Sequence, residues 1–373
     1  MSQRQLTIVQ LLPALESGGV EQSVVQLASA VAAAGHRSVV ISTGGQWVET
    51  LLKHGCEHIL LPIKSKSPFT LLQVLPLRHL LVQLKADIVH AHSRVPAWLT
   101  WLAWRKLPTT QQVHFVTSVH GLNSVSMYSA IMTKGEVVIA VSQTVKDYLS
   151  QHYPHCPTQR IKVIYGGINH QHFYHGFKPS PKWLQQWHSQ QPQLSGKKIL
   201  TLAGRITRLK GHHHFLQLIK HLVEQEQPIH GLIVGGAEAK KQGYLHELQQ
   251  QVIRDGLSAH ISFVGQRQDM REILSQSDII YSLTTKPETF GLAVLESLAL
   301  GRPVLGWNRG GVAEIFSACF AQGAVEADNM VQLISKTEQF LQQAPTVAPI
   351  TQFSVQQMTE QHLALYQQLV REK

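Results

Sequence analysis

The stretch KPETFGLAVLESLALG, residues 286–301, begins as a short loop and continues as an apolar helical segment. Glu288 lies in the loop, and Glu296 lies eight positions later in the helix. Because a helix rises about 1.5 Å per residue, we expect the two carboxylates to be ~10 Å apart. Between them, the free N–H groups of the first helical turn form an anion site, which Gly291 leaves open to a ligand. The stretch therefore predicts a phosphate site with a carboxylate for hydroxyl groups on either side.

An alternative interpretation of this stretch is a surface helix with two solvated glutamates. The neighbours of Glu296 in the sequence are apolar, however: Leu292, Val294, Leu295, Leu298 and Ala299. An unpaired carboxylate in apolar surroundings is costly. The pattern therefore favours a ligand or a fixed partner for Glu296, although the residues of this stretch alone leave both interpretations open.

The composition fits a protein of two domains that binds anionic ligands. The chain has 373 residues, of which 43% are hydrophobic and 15% are charged, so it can fill two cores of ordinary size. Its formal net charge is +10, with 22 histidines beside it. That balance favours phosphates or an acidic membrane surface as partners. Nucleic acid is disfavoured, because the sequence contains no recognition module and no cluster of basic and aromatic residues.

The sequence predicts a cytoplasmic protein. Cys56, Cys156 and Cys319 are widely spaced and form no CxxC pair, which is typical of reduced thiols. No apolar run reaches the ~18–20 residues of a membrane-spanning helix. The stretch LTIVQLLPAL is interpreted as a buried strand rather than a signal peptide, because no small-x-small cleavage site follows it. We expect a cytoplasmic location and leave peripheral contact with the inner face of the membrane open.

Short apolar strands alternate with amphipathic helices, which indicates α/β domains with parallel sheets covered on both faces. The pattern breaks once, in a polar stretch rich in Pro, Gln, Trp and His. This break predicts a first domain at 1–175, a linker at 176–196 and a second domain at 197–352. Two doubly wound domains are expected to bind a ligand in the cleft between them, beyond the carboxyl ends of their strands.

Two basic residues follow the first strand of the second domain. Arg205 comes after Gly204, and Lys210 comes five residues later, just before Gly211 and a helix. A guanidinium fork and an ammonium point charge at a helix N-terminus suit a pyrophosphate leaving group. A solvated basic turn is the alternative interpretation, but such a turn needs no glycine on either side.

Two further motifs lie in the first domain. Gly18 and Gly19 follow its first strand and open its first helix, which fits the approach of a phosphate but fits a plain tight turn nearly as well. Neither G-x-G-x-x-G nor G-x-x-x-x-G-K-[ST] occurs, so dinucleotide and P-loop sites are not supported. His120 ends a strand on the face where α/β domains build their sites. A structural role is the alternative for His120, as it is for most lone histidines.

The sequence favours chemistry without a metal or another cofactor. His212, His213 and His214 are consecutive on a helix, so their side chains diverge and cannot close a tetrahedral site alone. No Asp-x-Asp motif, the usual carboxylate grip for a divalent ion on a sugar diphosphate, occurs in the chain. We therefore expect Arg205, Lys210 and helix ends to neutralise a bound diphosphate.

Taken together, these residues resemble the retaining GT-B glycosyltransferases of family 4, the group 1 glycosyltransferases. The resemblance covers nearly the whole chain, and the glutamate pair in PETFGLAVLES is its most specific mark. The segments VHAHSRVPAW, SVHG and VGGAEAKKQGYLHEL look most like bacterial enzymes that build the lipopolysaccharide core. The resemblance implies two Rossmann-like domains facing across a cleft, with a C-terminal helix at 353–373 that returns to the first domain.

The resemblance also implies roles for single residues. Arg205 and Lys210 would hold the donor diphosphate. Glu296 would bind the ribose, Glu288 would contact the sugar hydroxyls, and His120 would lie near the reacting sugar carbon. The implied catalytic residues are His120, Arg205, Lys210 and Glu288. The implied donor-binding residues are Gly18, Gly19, Gly204, Arg205, Lys210, Glu288, Phe290, Gly291, Leu292 and Glu296.

The function implied by the resemblance is metal-independent transfer of a sugar, with retention, from a UDP- or GDP-linked donor. The acceptor would be a lipopolysaccharide core or another glycan or glycolipid. A nucleotide-sugar epimerase and a non-catalytic nucleotide-sugar binding protein remain alternatives. The segment Lys64–Lys85, with basic ends and an apolar body, also predicts contact with an anionic membrane. A basic solvated helix packed on the sheet is the other interpretation of that segment.

Overall fold

The chain folds into two compact units. The computed structural model describes residues 4–16, 18–108, 110–238 and 241–371. The first unit comprises the described residues of Met1–Gly167 and Phe353–Lys373, and the second comprises those of Ile168–Gln352. Each unit has its own sheet, so each is described by itself.

The first unit is built on a parallel sheet. Its strands are β1 (Thr7–Leu11), β2 (Arg37–Ser42), β3 (Glu57–Leu60), β4 (Ile88–Ala91), β5 (His114–Val119), β6 (Val137–Ala140) and β7 (Ile161–Val163). Over the described residues they form one sheet of seven parallel strands, ordered β3-β2-β1-β4-β5-β6-β7. The order reverses between β1 and β4, which is where doubly wound sheets place their ligands.

Helices cover both faces of this sheet. The helices before the second unit are α1 (Gly19–Ala33), α2 (Val48–Lys53), α3 (Val74–Gln83), α4 (Arg94–Trp104) and α5 (Gln143–His152). Successive residues of β1 enter different apolar clusters, Ile8 on one face and Val9 on the other, and both are fully buried. Parallel strands therefore read as nearly continuous apolar runs, because neither face meets water.

The second unit repeats this plan with a smaller sheet. Its strands are β8 (Lys198–Ala203), β9 (Ile229–Val234), β10 (Ile261–Phe263), β11 (Ile279–Ser282), β12 (Val304–Trp307) and β13 (Ala324–Val325). Within the described ranges six parallel strands are ordered β10-β9-β8-β11-β12-β13. Its helices are α6 (Pro181–Gln190), α7 (His212–Glu224), α8 (Gln242–Arg254), α9 (Met270–Ser275), α10 (Leu292–Ala299), α11 (Gly310–Cys319) and α12 (Met330–Gln342). The α/β prediction with two parallel sheets is thus confirmed.

The last helix, α13 (Val355–Arg371), packs in the first unit. Met358, Leu365 and Tyr366 join a buried cluster that includes Leu6 and Ile8. The chain end therefore completes the core on one face of the first sheet. The final two residues of the predicted helix at 353–373 lie outside the described residues.

The predicted linker at 176–196 is wrong, because this segment contains α6. Ser180 caps that helix by accepting a hydrogen bond from the Trp183 N–H at 3.2 Å. Trp187 is 3% exposed and belongs to the core of the second unit. The helix was not predicted because the segment is mostly polar, and only a few large apolar residues face inward.

The predicted domain boundary at residue 175 also differs from the structure, in which the first unit ends at Gly167. Residues 168–175 contact the second unit, where His172 Nδ1 lies 3.0 Å from an Arg271 guanidinium nitrogen. The apolar strand pattern ends near this point, but only these tertiary contacts assign the segment to a unit.

The apolar pattern of residues 69–84 predicts a helix interrupted at Pro76, and the structure corrects the start of that helix. A short 3₁₀ helix spans Pro68–Gln73, and α3 begins at Val74. Pro76 therefore lies in the first turn of α3, where its missing N–H has no intrahelical partner to lose. The short helix α2 was not predicted.

Candidate functional site

Three loops of the second unit meet at the carboxyl ends of its strands. They follow β8, β11 and β12, which are neighbours in the sheet. The Thr285 N–H donates to the Leu209 carbonyl at 2.9 Å, and the Gly311 N–H donates to the Glu288 carbonyl at 2.8 Å. Backbone hydrogen bonds thus hold the predicted cationic loop and the PETFG loop together at the switch point of this sheet.

Two of the helices that begin at this meeting point, α7 and α10, start directly after a glycine. Gly211 precedes α7 with φ +73°, and Gly291 precedes α10 with φ +103°. A Cβ on Gly211 would lie 1.8 Å from the Leu283 carbonyl oxygen, so the loop after β11 requires a glycine there. In the described part of the chain no side chain caps either helix. Their first-turn N–H groups therefore suit an anion.

Lys210 and Glu288 form an ion pair inside this site. Lys210 Nζ lies 2.5 Å from Glu288 Oε1, and the two side chains are 30% and 22% exposed. The Lys210 stem also lies 3.4 Å from where a Cβ on Gly204 would be. The structure thus brings together Lys210, Gly204 and Glu288, three predicted site residues from two loops.

Arg205 lies in the same loop but in a more solvated place. Its side chain is 71% exposed and pairs with Glu238 at 3.0 Å. The two predicted cations therefore both face carboxylates, Lys210 in a half-buried pair and Arg205 at the surface.

The remaining predicted donor residues lie along the start of α10. Phe290 is buried, and Leu292 is the first residue of the helix. Glu296 is half-buried one turn further on, and Glu288 lies before the helix. Along the chain, Glu288 therefore precedes the first turn of α10 and Glu296 follows it.

The first unit has a pocket of about 210 Å³ at the carboxyl ends of β4 and β5. Its lining residues are Val20, His92, Ser93, Arg94, Ser118, Val119, His120, Gly121, Asn123 and Met132. His120 follows β5, as predicted. Gly18 and Gly19 open α1, whose second residue, Val20, lines the same pocket. A Cβ on Gly18 would lie 2.4 Å from the Glu21 carboxylate.

Hydrogen bonds connect His120 to buried polar residues that sequence reasoning missed. His120 Nε2 lies 3.1 Å from His92 Nδ1, and His92 Nε2 lies 3.0 Å from Gln10 Oε1. Burial, and then the charge of His362, lowers the pKa of His120 to about 4. His120 is therefore neutral at neutral pH. The signal for His92 was a polar residue directly after a buried strand, the same signal that singled out His120.

Metal-binding clusters and membrane-spanning helices are both absent from the described residues. No group of three or more His, Cys, Asp or Glu side chains there could hold a metal ion. Of the consecutive histidines, His212 is 1% exposed and faces the core. Among the described helices, none combines the length and apolar character needed to cross a membrane.

Two family models match this chain, one mainly in the first unit and one within the second. The model for Glycosyltransferase Family 4 matches residues 17–172, and the model for Glycosyl transferases group 1 matches residues 185–352. Among curated relatives, spore coat protein SA of Bacillus subtilis (strain 168) is 25% identical over 248 residues. That alignment covers 61% of this chain and 62% of the relative, so the match spans less than two thirds of the relative's length.

Solved glycosyltransferases share the fold of the chain. A glycosyltransferase from Rickettsia africae ESF-5 matches with a TM-score of 0.86 and 28% identity, over 99% of this chain and 100% of that one. Anabaena Alr3699/HepE, solved with UDP and glucose, matches with a TM-score of 0.78 and 22% identity, over 97% and 99%. The fold is therefore that of the GT-B enzymes, and the chain belongs to the group 1 glycosyltransferases.

Proposed function

We propose that the protein transfers a sugar, with retention, from a UDP- or GDP-linked donor to a lipopolysaccharide core or another glycan or glycolipid acceptor. The observation that carries this proposal is the Lys210–Glu288 pair, held at 2.5 Å beside two glycine-led helix starts. A cation and helix N-termini suit a diphosphate, and a neighbouring carboxylate suits sugar hydroxyls. The acceptor class rests on the resemblance of the sequence segments alone.

In this proposal, the second unit binds the donor. Lys210, Arg205 and the first turns of α7 and α10 hold the diphosphate, with backbone contacts from residues 290–292. Glu296 accepts hydrogen bonds from the ribose hydroxyls, and Glu288 accepts them from the sugar. Anabaena HepE, which shares the fold, was solved with UDP and glucose, which supports this assignment.

The transfer step breaks the bond between the anomeric carbon and the diphosphate oxygen. The acceptor hydroxyl oxygen bonds to that carbon from the same face, and its proton passes to the leaving phosphate oxygen. Negative charge grows on the diphosphate, so Lys210 Nζ, the Arg205 guanidinium and the helix N-termini stabilise the transition state. The neutral ring of His120 contacts the sugar without adding a charge near the developing oxocarbenium carbon.

Substitution of Arg205 tests the donor assignment. We expect Arg205→Ala to lower the rate of transfer by ~10²-fold or more, because a charge that stabilises the leaving group is lost. Arg208→Ala is the matched control, since Arg208 is also exposed in this loop but pairs with Glu247. Thermal shift with UDP, GDP and ADP identifies the nucleotide. Near-normal turnover of Arg205→Ala would refute its role, and donor conversion without an acceptor would indicate an epimerase.

Two further measurements test the reaction type. NMR of the product should show the anomeric configuration of the donor, and an inverted product would reject retention. We also propose that transfer is independent of metal, because Lys210 and Arg205 supply positive charge at the diphosphate. Full turnover in excess EDTA is then expected, and activity that EDTA abolishes and Mg²⁺ restores would contradict the proposal.

We further propose that an anionic membrane is a partner of the first unit. Four large apolar side chains in one segment are exposed: Phe69 by 78%, Leu71 by 52%, Leu72 by 69% and Leu75 by 57%. The segment between Glu57 and Asp87 contains no acidic residue but has four basic ones: Lys64, Lys66, Arg78 and Lys85. Exposed apolar side chains with a basic surround fit the interface of an acidic bilayer.

Liposome flotation tests the membrane proposal. The wild type should float with vesicles rich in phosphatidylglycerol. The double variant Phe69→Gln, Leu72→Gln should not, because it loses the two most exposed of the four apolar side chains that would enter the bilayer. Val331→Gln is the control, since Val331 is 79% exposed in the second unit. Equal flotation with neutral phosphatidylcholine vesicles would argue against an anionic partner.

A further inference from the structure

Arg94 is a cation of the first-unit pocket that has no acidic partner in the described part of the chain. It is the first residue of α4 and lines the pocket together with His120 and Asn123. Its guanidinium lies 5.3 Å from the centre of the Tyr128 ring and donates to Ser129 Oγ at 3.3 Å. These contacts orient the guanidinium but leave its positive charge without a carboxylate.

The surroundings of Arg94 add positive charge and no negative charge. The residues that line the pocket include no Asp or Glu. Burial keeps the pKa values of His92 and His120 low, so both rings are neutral. Lys66 Nζ lies 5.6 Å from the same Tyr128 ring, on which the Arg94 guanidinium also stacks. An unpaired guanidinium in a concave site favours a bidentate anionic ligand.

We propose that Arg94 binds an anionic group, a phosphate or a carboxylate, of the sugar acceptor. The inference rests on the proposed function, because it assigns the pocket around His120 to the acceptor. It deepens that function by naming the acceptor class: a molecule whose reacting hydroxyl and whose acidic group both fit this pocket.

Calorimetric titration with glucose 6-phosphate and with glucose tests this inference. Glucose 6-phosphate should bind saturably and glucose should not. Arg94→Gln should weaken glucose 6-phosphate binding about tenfold or more, the usual cost of a lost charge-assisted hydrogen bond. Arg105→Gln is the matched control, because Arg105 follows the other end of α4 and stacks on Trp101 outside the pocket.

Equal affinity of the wild type and Arg94→Gln for glucose 6-phosphate, or no difference between the two sugars, overturns the inference. If phosphatidylglycerol vesicles displace glucose 6-phosphate, the anionic group belongs to a lipid headgroup. If the vesicles do not displace glucose 6-phosphate, the anionic group belongs to a soluble acceptor. Nucleotide binding is read separately by thermal shift. Failure of every nucleotide to bind would sink the proposed function without affecting the Arg94 result.

An independent observation concerns the buried residues behind His120. Gln10 is fully buried on β1. His92 is 5% exposed and directly follows β4, the strand next to β1 in the sheet. Gln10 Oε1 is an acceptor, so the neutral His92 ring carries its proton on Nε2. His92 Nδ1 is then an acceptor, and His120 Nε2 must donate to it across their 3.1 Å contact.

We infer that Gln10 and His92 are positioning residues that set the tautomer of His120. The relay holds the proton of His120 on Nε2 and directs Nδ1 as an acceptor. His90 and His362 are the other titratable rings that lower the pKa of His92. Tyr366 and Ser118 flank His90 through hydrogen bonds of 2.7 Å. The role again rests on the proposed function of His120.

Substitutions of His92 and Gln10 test the relay. His92→Leu should lower kcat about tenfold or more with donor KM unchanged, and His92→Gln should restore much of it, because an amide oxygen can accept from His120. Gln10→Glu should raise the pKa of His92, so that the acid limb of the pH profile moves to higher pH. Gln111→Glu, a half-buried glutamine elsewhere in this unit, should leave the profile unchanged.

Nitrogen NMR of the His120 ring separates this role from a purely structural one. The wild type should show protonated Nε2, and His92→Leu should show a mixture of tautomers. An unchanged tautomer in His92→Leu, or an unchanged pH profile in Gln10→Glu, overturns the inference. Because the ring spectrum needs no turnover, it remains informative if the protein proves not to be a transferase.

Discussion

The Lys210 ammonium and the Glu288 carboxylate satisfy each other at 2.5 Å in a half-buried pair. A bound diphosphate would compete with Glu288 for Lys210, and the released carboxylate would then be available to the sugar. Under the proposed function, the pair would couple the binding of the phosphates to the presentation of Glu288, because each charge has a partner in this partly desolvated site until the ligand binds.

Glu288→Gln separates these two roles. Because the variant removes the carboxylate that competes for Lys210, we expect UDP alone to bind about threefold tighter, as suits a pair worth less than ~1 kcal/mol. Transfer should nevertheless fall ~10-fold or more, since the sugar hydroxyls lose a charged hydrogen-bond acceptor. Calorimetry and steady-state kinetics measure the two effects. Glu247→Gln, which breaks the surface pair with Arg208, should change neither, and weaker UDP binding by Glu288→Gln would contradict the competition.

Gly211 offers a second prediction for a single residue. Gly211→Ala should destabilise the protein by more than ~2 kcal/mol, because it combines strain at φ +73° with a collision with the Leu283 carbonyl. Gly176→Ala should cost only ~1 kcal/mol, since Gly176 has φ +77° but nothing within 4 Å of the added Cβ. Urea unfolding compares the two variants. Equal losses would show that backbone strain alone matters at Gly211.

Sequence reasoning located single site residues better than their partners. Lys210 was predicted from the glycine beside it after a strand, and Glu288 from the loop that precedes an apolar helix, but their ion pair joins residues 78 positions apart. Gln10 and His92 are 82 positions apart, and nothing in the local pattern of β1 distinguishes a buried glutamine with a partner from one without. Such pairs depend on strand order, which periodicity does not reveal.

At the level of elements, the strongest patterns were predicted to the residue. The apolar pattern predicts strands at Ile88–Ala91 and His114–Val119 and helices at His212–Glu224 and Val355–Arg371, and these are the bounds of β4, β5, α7 and α13. The failures were α2, which has one buried residue, and α6, whose polar composition resembled a linker. Elements that bury little apolar area carry a weak signal, because their stability comes from tertiary contacts.

The helix α13 gives a prediction at this scale. Tyr366 is fully buried, and its hydroxyl lies 2.7 Å from His90 Nδ1, so it links the chain end to β4. Tyr366→Phe should lower the free energy of unfolding by ~1–3 kcal/mol, because it leaves a buried ring nitrogen without its partner. Thermal unfolding measures the loss. Tyr174→Phe, at an exposed tyrosine, is the control, and no loss in Tyr366→Phe would contradict the link.

At the level of the whole molecule, both units bury histidines. The chain has 22 histidines and a formal charge of +10. Burial lowers the pKa of four of them to about 4: His120, His212, His230 and His362. Burial lowers the pKa values of His90 and His92 well below the usual value. The folded protein therefore keeps these rings neutral in a pH range where an unfolded chain protonates them.

This difference predicts a loss of stability in mild acid. Above the usual pKa of 6.5 both states hold these rings neutral, so the full stability is present. As the pH falls from 6.5 towards about 4, the unfolded chain binds protons that the folded chain does not, and each ring costs up to ~1.4 kcal/mol per pH unit. The free energy of unfolding, measured with urea, should therefore decline steeply as the pH falls through this window. His230→Gln should reduce the slope of this decline. A flat profile between neutral pH and pH ~5 would contradict the neutral burial of these rings.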